Sequence, residues 1–360
     1  MEDDLNSWKE LIEMTAINET VYMSTMLAGL ENIIVDEIRS KILDAQIVEI
    51  RRGKVFFRSK QPLQNVMSLR SIDNLFIFVS KFSVGPHKVH LKELQQRMKG
   101  IDISKVIDLS KLSNRKVSFL INSSRSGRQT YSRFDLSDAA SQGLMQQFPK
   151  WKIGTPEDHL LEFRLDVTDE EAIFCYRLTD STFRFRGKQR MFAQAALRPT
   201  VAHALVWLSQ PAKDECFVDP FCGSGTIVAE RAYYPFGKLL GGDISEDVTE
   251  VAMMNTAKID NVVIRQWDAR ELPLGEGTVD KVVSNLPFGE QILNQDEIYD
   301  LYLKFIKQLK RVMKPNGQAI LMTDKADELL RVTDKFNLEC YIQAELSLKG
   351  LHPKVFKINF

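Results

Sequence analysis

The feature that most constrains the fold is an alternation of short apolar β-type runs with helix-type segments in the second half of the chain. The β-type runs are Cys216–Asp219, Leu239–Asp243, Val262–Trp267 and Val279–Ser284, each followed by a segment with polar turn residues or helical spacing. Alternation of this kind is typical of a parallel, doubly wound sheet with helices on both faces. We therefore predict an α/β domain over residues 196–360.

The last part of the chain departs from this alternation. Two β-rich runs, Glu339–Ser347 and Lys354–Asn359, are joined by a turn-forming segment that contains Gly350 and Pro353. They predict a closing antiparallel hairpin. The class I (Rossmann-like) methyltransferase fold ends in this way, whereas the dinucleotide-binding Rossmann fold does not.

The first half of the chain has an α+β pattern. Its first segments follow a β-α-β-β-α-β order up to about Lys81, which predicts a ferredoxin-like domain over residues 1–85. We predict a second α+β domain over residues 86–180 and a linker over residues 181–195.

Composition indicates an ordinary globular protein. Hydrophobic residues make up 44% of the chain and charged residues 27%. The 48 basic and 48 acidic side chains cancel, so binding to nucleic acid would depend on local patches. No apolar run is long enough to span a bilayer, and the acidic start is unlike a signal peptide. We therefore expect a cytoplasmic protein that does not bind a membrane.

The four cysteines indicate neither a disulfide framework nor a zinc site, because they show no paired spacing. We expect no metal. Cys222 is interpreted as small packing beside a cofactor rather than as a nucleophile. A monomer is expected, although the sequence leaves the oligomeric state open.

A glycine-rich turn follows the first strand of the α/β domain, over Asp219–Thr226. Glycines there allow a ligand to approach the backbone, and the helix start offers free N–H groups. A lone Gly-x-Gly is weak evidence, but the three-glycine dinucleotide fingerprint is absent. The acid at the end of the strand, Asp219, suits the cationic methionine portion of S-adenosylmethionine better than a pyrophosphate.

Two further acids follow later strands. We expect Asp243 to accept hydrogen bonds from the ribose hydroxyls of the cofactor, and Asp268 to accept one from the adenine amino group. The carboxyl ends of parallel strands form the ligand-binding edge of such a sheet. An Asp after a strand is also often a helix cap, and for one Asp alone that explanation would be preferred. The predicted cofactor-binding residues are Asp219, Pro220, Phe221, Cys222, Gly223, Ser224, Gly225, Thr226, Asp243, Ile244, Asp268, Ala269 and Asn285.

The segment Asn285–Phe288 closes the fourth strand and is the predicted catalytic centre. Its turn-forming residues alone would indicate a strand-ending turn. It could also bind an exocyclic base amine, through the Asn285 side-chain oxygen and a main-chain carbonyl at Leu286 or nearby. Pro287 would stiffen the turn, and the ring of Phe288 would stack on the base. No general base is needed before methyl transfer.

Two stretches without acidic residues are candidate RNA contacts. The first is a predicted polar loop, Ser123–Thr130, followed by a helix, and a solvated loop is an equally good interpretation of it. The second, Phe183–Arg190, could be a plain edge strand, or a substrate-facing seam between two domains. The predicted RNA-binding residues are Arg125, Arg128, Arg133, Arg184, Arg186, Lys188 and Arg190.

With these motifs the chain resembles the THUMP-containing RNA guanine-N2 methyltransferases, above all the subgroup that makes N2-methylguanosine at position 6 of tRNA. The resemblance rests on Asp219–Thr226 and Asn285–Gly289, with weaker similarity at Met23–Glu31 and Arg198–Thr200. Many relatives have Pro-Pro-Tyr in place of Leu286–Phe288, so position 288 offers no Tyr hydroxyl to the mechanism here.

The resemblance implies S-adenosylmethionine as cofactor and tRNA as partner. It also implies that residues 86–180 form a THUMP domain that grips the 3′ end of the tRNA. Alternatives remain open: another tRNA guanine (position 10), a ribosomal RNA guanine, an adenine N6, or a non-catalytic RNA-binding protein. Neither the nucleotide, the number of methyl groups nor an activating partner follows from the sequence.

Overall fold

The computed structural model describes residues 20–112, 115–187, 197–287, 295–348 and 350–360. These residues form two mixed β-sheets, an eight-stranded sheet in the first half and a seven-stranded sheet in the second. Helices cover both sheets, and most of the buried apolar side chains lie between helix and sheet.

The eight-stranded sheet has the strand order β2-β3-β1-β4-β8-β7-β5-β6. Its strands are β1 (Thr20–Thr25), β2 (Gln46–Arg51), β3 (Lys54–Ser59), β4 (Asn74–Ser83), β5 (Ser118–Ser126), β6 (Lys152–Ile153), β7 (Leu161–Thr168) and β8 (Glu171–Arg177). The α-helices of this half are α1 (Glu31–Lys41), α2 (Leu63–Val66), α3 (Leu91–Lys99) and α4 (Arg133–Gln147). Short 3-10 helices lie at Lys88–His90, Leu109–Leu112 and Phe183–Phe185.

The predicted β-α-β-β-α-β order of the first region is confirmed, since β1, α1, β2, β3, α2 and β4 follow one another. The sheet does not stop there. Strand β4 pairs antiparallel with β8, from Phe76 opposite Arg177 to Ser83 opposite Glu171. The predicted division at residue 85 therefore falls within one continuous sheet, and the division itself stays a prediction.

Two local predictions are wrong. Ser123–Ser126 belongs to β5 rather than to a loop, because β5 pairs in parallel with β7 as far as Ser126 opposite Thr168. Ladder hydrogen bonds satisfy the main chain of this polar stretch, and they outweigh its turn-like composition. Phe183–Phe185 is a short 3-10 helix rather than part of an edge strand.

The seven-stranded sheet has the order β11-β10-β9-β12-β13-β15-β14. Its strands are β9 (Cys216–Asp219), β10 (Lys238–Asp243), β11 (Val262–Gln266), β12 (Val279–Asn285), β13 (Met313–Thr323), β14 (Cys340–Glu345) and β15 (Lys354–Asn359). The helices are α5 (Pro199–Leu208), α6 (Thr226–Arg231), α7 (Glu246–Thr256), α8 (Gln295–Val312) and α9 (Ala326–Lys335), with a 3-10 helix at Ala269–Glu271.

Strands β9 to β13 are parallel to one another, and β15 runs antiparallel between β13 and β14. The predicted class I fold with a C-terminal antiparallel hairpin is confirmed. The strand order reverses direction between β9 and β12, and ligands bind at such a switch point in open α/β sheets.

A buried carboxylate joins the two halves. Glu230, on α6, is 1% exposed and accepts from Arg70 Nη2 at 3.0 Å and from Arg186 Nε at 3.2 Å. The Arg186 guanidinium also donates to the main-chain oxygen of Arg70. Arg70 of the first half and Arg186 of the segment that connects the halves therefore both bind Glu230 of the second half, through charge-assisted hydrogen bonds.

A second contact involves the segment that precedes α5. Arg198 Nη1 lies 2.7 Å from Asp73 Oδ2, and Thr200 Oγ1 lies 2.6 Å from Asp73 Oδ1. His203 is fully buried between Ser71 Oγ and Tyr234 Oη, each at 2.8 Å. Burial lowers the pKa of His203 to about 4, so its ring is neutral at pH 7. His203 therefore has a structural role, joining Ser71 of the first half to Tyr234 of the second.

We expect Glu230→Gln to destabilise the protein by about 3–5 kcal/mol, because Arg70 and Arg186 then face no charge in a buried setting. Asp300→Asn is the control: it breaks the Lys304–Asp300 pair, whose side chains are about half exposed (52% and 51%). Such an exposed pair contributes about 0.5 kcal/mol or less. Denaturant unfolding measures both, and equal shifts in the two variants would contradict this role for Glu230.

Candidate methyl-transfer site

The glycine-rich turn starts where β9 ends. Gly223 and Gly225 both have positive φ, 50° and 78°, and Gly225 precedes the first residue of α6. A Cβ on Gly225 would lie 3.1 Å from the Cβ of Ala252, while the space beside Gly223 is open. The turn thus needs glycine for its conformation, and it presents bare backbone at the carboxyl edge of the sheet.

Asp219 is the last residue of β9 and lies at the centre of this edge, beside β12. Its side chain is 1% exposed, and Oδ1 accepts from Ser284 Oγ at 2.6 Å and from the Phe221 N–H at 3.3 Å. Burial raises the pKa of Asp219 to about 7. A cation bound here would favour the ionised carboxylate, as expected for the methionine end of the cofactor.

Asp243, at the end of β10, is fixed by main-chain donors. Its two oxygens accept from the N–H groups of Gly223 at 3.0 Å and Ser245 at 3.1 Å. Ile244 follows it and is 62% exposed. A carboxylate beside a bare apolar side chain suits a ribose and the face of an adenine ring.

Asp268, after β11, caps the 3-10 helix at Ala269–Glu271. It accepts from the Arg270 N–H at 2.9 Å and is also paired with the Arg270 guanidinium. Asp268 therefore has the helix-capping role that is the alternative to adenine binding. The predicted adenine contact of Asp268 stays a prediction.

Trp267 supports the turn, a role that the sequence analysis missed. Its indole N–H donates to the Pro220 carbonyl at 3.1 Å, and its ring lies where a Cβ on Gly242 would be. The pairing of a Gly before Asp243 with a Trp before Asp268 is a signal that could have indicated this. Ser284, which binds Asp219, was missed because Ser at the end of a strand has no distinctive pattern.

The predicted catalytic segment follows β12, next to the turn. Asn285 is the last residue of the strand, and the Leu286 N–H donates to the Met322 carbonyl at 2.9 Å. The Asn285 Oδ1 atom is buried and has no hydrogen-bond partner among the described residues. A buried acceptor without a donor costs about 1–3 kcal/mol, so this oxygen is suited to an incoming N–H group. Phe288 lies outside the described residues.

The register of β9 and β12 brings these parts together. Val218 lies opposite Val282, so Asp219 and Asn285 end adjacent strands. The residues present fit S-adenosylmethionine: the buried Asp219 for its ammonium group, the partly buried Asp243 for its hydroxyls, an exposed apolar side chain for its adenine, and open backbone at Gly223. An amine-accepting oxygen lies on the next strand.

Cys222 is buried, and burial together with Asp219 and Asp243 raises the pKa of its thiol. A nucleophilic role is disfavoured, since the thiolate is the reactive form. Within the described ranges, no group of three or more His, Cys, Asp or Glu side chains could hold a metal ion. No helix in those ranges is both long and apolar enough to cross a bilayer.

The predicted RNA-binding residues of the first half are exposed. Arg125 lies near the end of β5, Arg128 follows in the turn, and Arg133 begins α4. The Arg133 guanidinium lies 4.7 Å from the centre of the Phe134 ring, which is 64% exposed. An exposed Arg–aromatic pair can stack on an unpaired base.

The other predicted RNA contacts differ from one another. The Arg184 guanidinium lies 4.6 Å from the centre of the Phe185 ring. Arg186 points inward to Glu230 and joins the two halves. Lys188 and Arg190 lie outside the described residues.

Comparisons with known proteins agree with this geometry. Residues 186–354 match the family model of the RMKL-like methyltransferase domain. The tRNA (guanine(6)-N2)-methyltransferase of Archaeoglobus fulgidus is 23% identical, over 93% of this chain and 91% of that protein. The protein of the same name from Thermus thermophilus is 25% identical, over 93% and 98%. The crystal structure of TrmN from Thermus thermophilus has a TM-score of 0.76 at 22% identity and covers 94% of this chain and 99% of that one.

These matches confirm the resemblance seen in the motifs. Residues 186–354 match a methyltransferase domain, and the geometry of the site fits S-adenosylmethionine. The roles of individual site residues stay predictions.

Asp219→Asn should change how stability depends on pH. In the cofactor-free folded protein Asp219 keeps its proton up to about pH 7, whereas in the unfolded chain Asp219 loses it at about pH 4. Binding of this proton stabilises the folded protein. The stabilisation is complete below the unfolded pKa and is lost as pH rises through the folded pKa, by up to about 1.4 kcal/mol per pH unit. Asn does not titrate.

The free energy of unfolding of the wild type, measured relative to Asp219→Asn, should therefore fall between about pH 4 and about pH 7 and level off above that. Denaturant titrations of both proteins without cofactor measure this. A difference that stays constant over the range would contradict the raised pKa of Asp219.

Proposed function

We propose that this chain methylates the N2 amino group of a guanine in tRNA, with Asn285 as the residue that holds the amine. The observation that carries the proposal is the buried Asn285 Oδ1 atom, which lacks a hydrogen-bond partner among the described residues. Asn285 is the last residue of β12, the strand next to the one that Asp219 ends. A base amine offers the two N–H donors that such a pocket lacks.

An exocyclic amine is a weak nucleophile because its lone pair is delocalised into the ring. The Asn285 side-chain oxygen and the Leu286 carbonyl accept its two hydrogens. These bonds pull the nitrogen towards a tetrahedral geometry and direct its lone pair to the cofactor side of the edge. Most of the rate acceleration then comes from positioning and fixed dipoles.

S-adenosylmethionine, when bound, supplies an electrophilic methyl group on a cationic sulfur. The buried Asp219 carboxylate and the partly buried Asp243 carboxylate would orient the donor within the glycine-rich turn. The Asn285 and Leu286 oxygens would hold the amine while the donor supplied its methyl group, and the methylated nitrogen would release one proton to water. No side chain has to act as a base before the transfer.

The choice of tRNA rests on the relatives. Two proteins named tRNA (guanine(6)-N2)-methyltransferase match nearly the whole chain, including its first half. That half presents exposed arginines at Arg125, Arg128 and Arg133, which can contact phosphates. We infer that it binds the 3′ end of the tRNA as a THUMP domain and that position 6 is the target. A monomer in the cytoplasm completes this proposal.

The test is incubation with labelled S-adenosylmethionine and total RNA, followed by nucleoside mass spectrometry and mapping. We expect N2-methylguanosine at position 6 of tRNA. Label at position 10, in ribosomal RNA or in adenosine would keep the chemistry and replace the substrate. Unlabelled RNA would overturn the proposal.

Asn285→Ala should lower methyl transfer by about 100-fold or more, since removing one aligned polar group from an active site has an effect of that order. The dissociation constant of S-adenosylmethionine should change far less than the rate, because the glycine-rich turn, Asp219 and Asp243 are intact. Asn65→Ala, at an exposed position of the first half, is the control. Full activity in Asn285→Ala would refute the amine-binding role.

Arg125→Ala and Arg128→Ala should each weaken tRNA binding and reduce the salt dependence of that affinity by about one unit of slope. Cofactor affinity should not change, since neither residue lies near the turn. Lys258→Ala, an exposed cation of the second half, is the matched control. Filter binding over a range of salt concentrations measures all three, and an unchanged slope would exclude phosphate contacts by these arginines.

A further inference from the structure

We propose that Tyr302 and Thr323 are positioning residues, which hold the catalytic segment through a hydrogen-bond relay to the Pro287 carbonyl. The proposal rests on the proposed function, because it concerns the segment that binds the amine. Tyr302 lies on α8, and Thr323 is the last residue of β13, the strand next to β12.

The relay is continuous. The Lys325 N–H lies 2.9 Å from Thr323 Oγ1, the Thr323 hydroxyl lies 2.8 Å from the Tyr302 hydroxyl, and that hydroxyl lies 3.0 Å from the Pro287 carbonyl oxygen. Tyr302 and Thr323 are both fully buried. All three contacts are within ordinary hydrogen-bond distance.

The direction of each bond follows from the atoms at the two ends. A carbonyl oxygen can only accept, so the single Tyr302 hydroxyl proton goes to Pro287. Tyr302 must then accept from Thr323, whose own oxygen accepts from the Lys325 N–H, which can only donate. Three donors point the same way, and hydrogen bonds in such a chain strengthen one another.

Burial keeps the relay in this state. It raises the pKa of the Tyr302 hydroxyl, which therefore retains its proton and remains a donor at any ordinary pH. Water does not replace a lost bond at a fully buried site, so removal of one hydroxyl leaves its partner unsatisfied.

The relay determines where the second amine acceptor points. The Leu286 N–H is held by Met322, and the Pro287 carbonyl is held by Tyr302. These two anchors flank the Leu286 carbonyl. The next residue, Pro287, has no N–H and little freedom in φ. With the Pro287 oxygen occupied, the Leu286 oxygen is left to accept from the substrate amine.

Tyr302→Phe tests the proposal, since it removes the hydroxyl and keeps the buried ring. We expect kcat to fall by about tenfold, as the loss of one acceptor's alignment implies. The KM for RNA and the dissociation constant of S-adenosylmethionine should stay within about twofold. A purely structural role would shift the unfolding midpoint and leave kcat unchanged.

Tyr299→Phe is the matched control. Tyr299 lies on the same helix, and its half-buried ring packs beneath the Arg331 guanidinium at 4.7 Å. At Thr323, the Ser variant keeps the hydroxyl and should keep kcat, whereas Thr323→Val should lower kcat by less than Tyr302→Phe, because Tyr302 can still donate to Pro287. Because Thr323 acts through Tyr302, the double variant Tyr302→Phe/Thr323→Val should be no slower than Tyr302→Phe.

A second readout does not need the substrate. Hydrogen exchange of the peptide that contains residues 284–287 should be faster in Tyr302→Phe than in the wild type and in Tyr299→Phe. An inactive wild type would overturn the proposed function alone, and the relay would then be judged by this exchange. Unchanged kcat in an active Tyr302→Phe, or unchanged exchange, would overturn the relay.

Discussion

The structure depends on the burial of one carboxylate, that of Glu230. It is held by Arg70 and Arg186, and an ion pair withdrawn from water is favourable only when its partners are well aligned. Glu230 lies on α6, the short helix that begins at the end of the glycine-rich turn. The element that forms the cofactor site is thus attached directly to the half that presents the exposed arginines, and displacement of either would disturb the other.

The methyl-transfer site combines rigid support with unsatisfied groups. Trp267 and Asp243 fix the turn, while Asn285 Oδ1 has no described partner and Asp219 favours its protonated form. An unpaired oxygen and a carboxyl kept from ionising both cost stability in the cofactor-free protein. Ligands that bring N–H donors and a positive charge would relieve both costs, so binding energy would be directed to the groups proposed to carry the chemistry.

Much of this site could be predicted from the sequence because it depends on local patterns. The run Cys216–Asp219 predicts a strand by its composition, and the glycines that follow it predict a turn. Asn285 ends β12, the strand beside β9 in the sheet. What the sequence could not show depends on tertiary contacts. Ser123–Ser126 has a loop-like composition but is held in a ladder by β7. Arg186 sits in a basic stretch, yet Glu230, distant in sequence, draws it inward.

The continuous eight-stranded sheet has a consequence for the modular description of such proteins. Because β4 and β8 share a ladder, a fragment ending near residue 85 would leave the β4 edge bare, and one starting there would leave β8 bare. Exposed strand edges recruit other chains. A stable transfer of this half into another protein would therefore have to keep residues 20–177 together, although the sequence divides them into two modules.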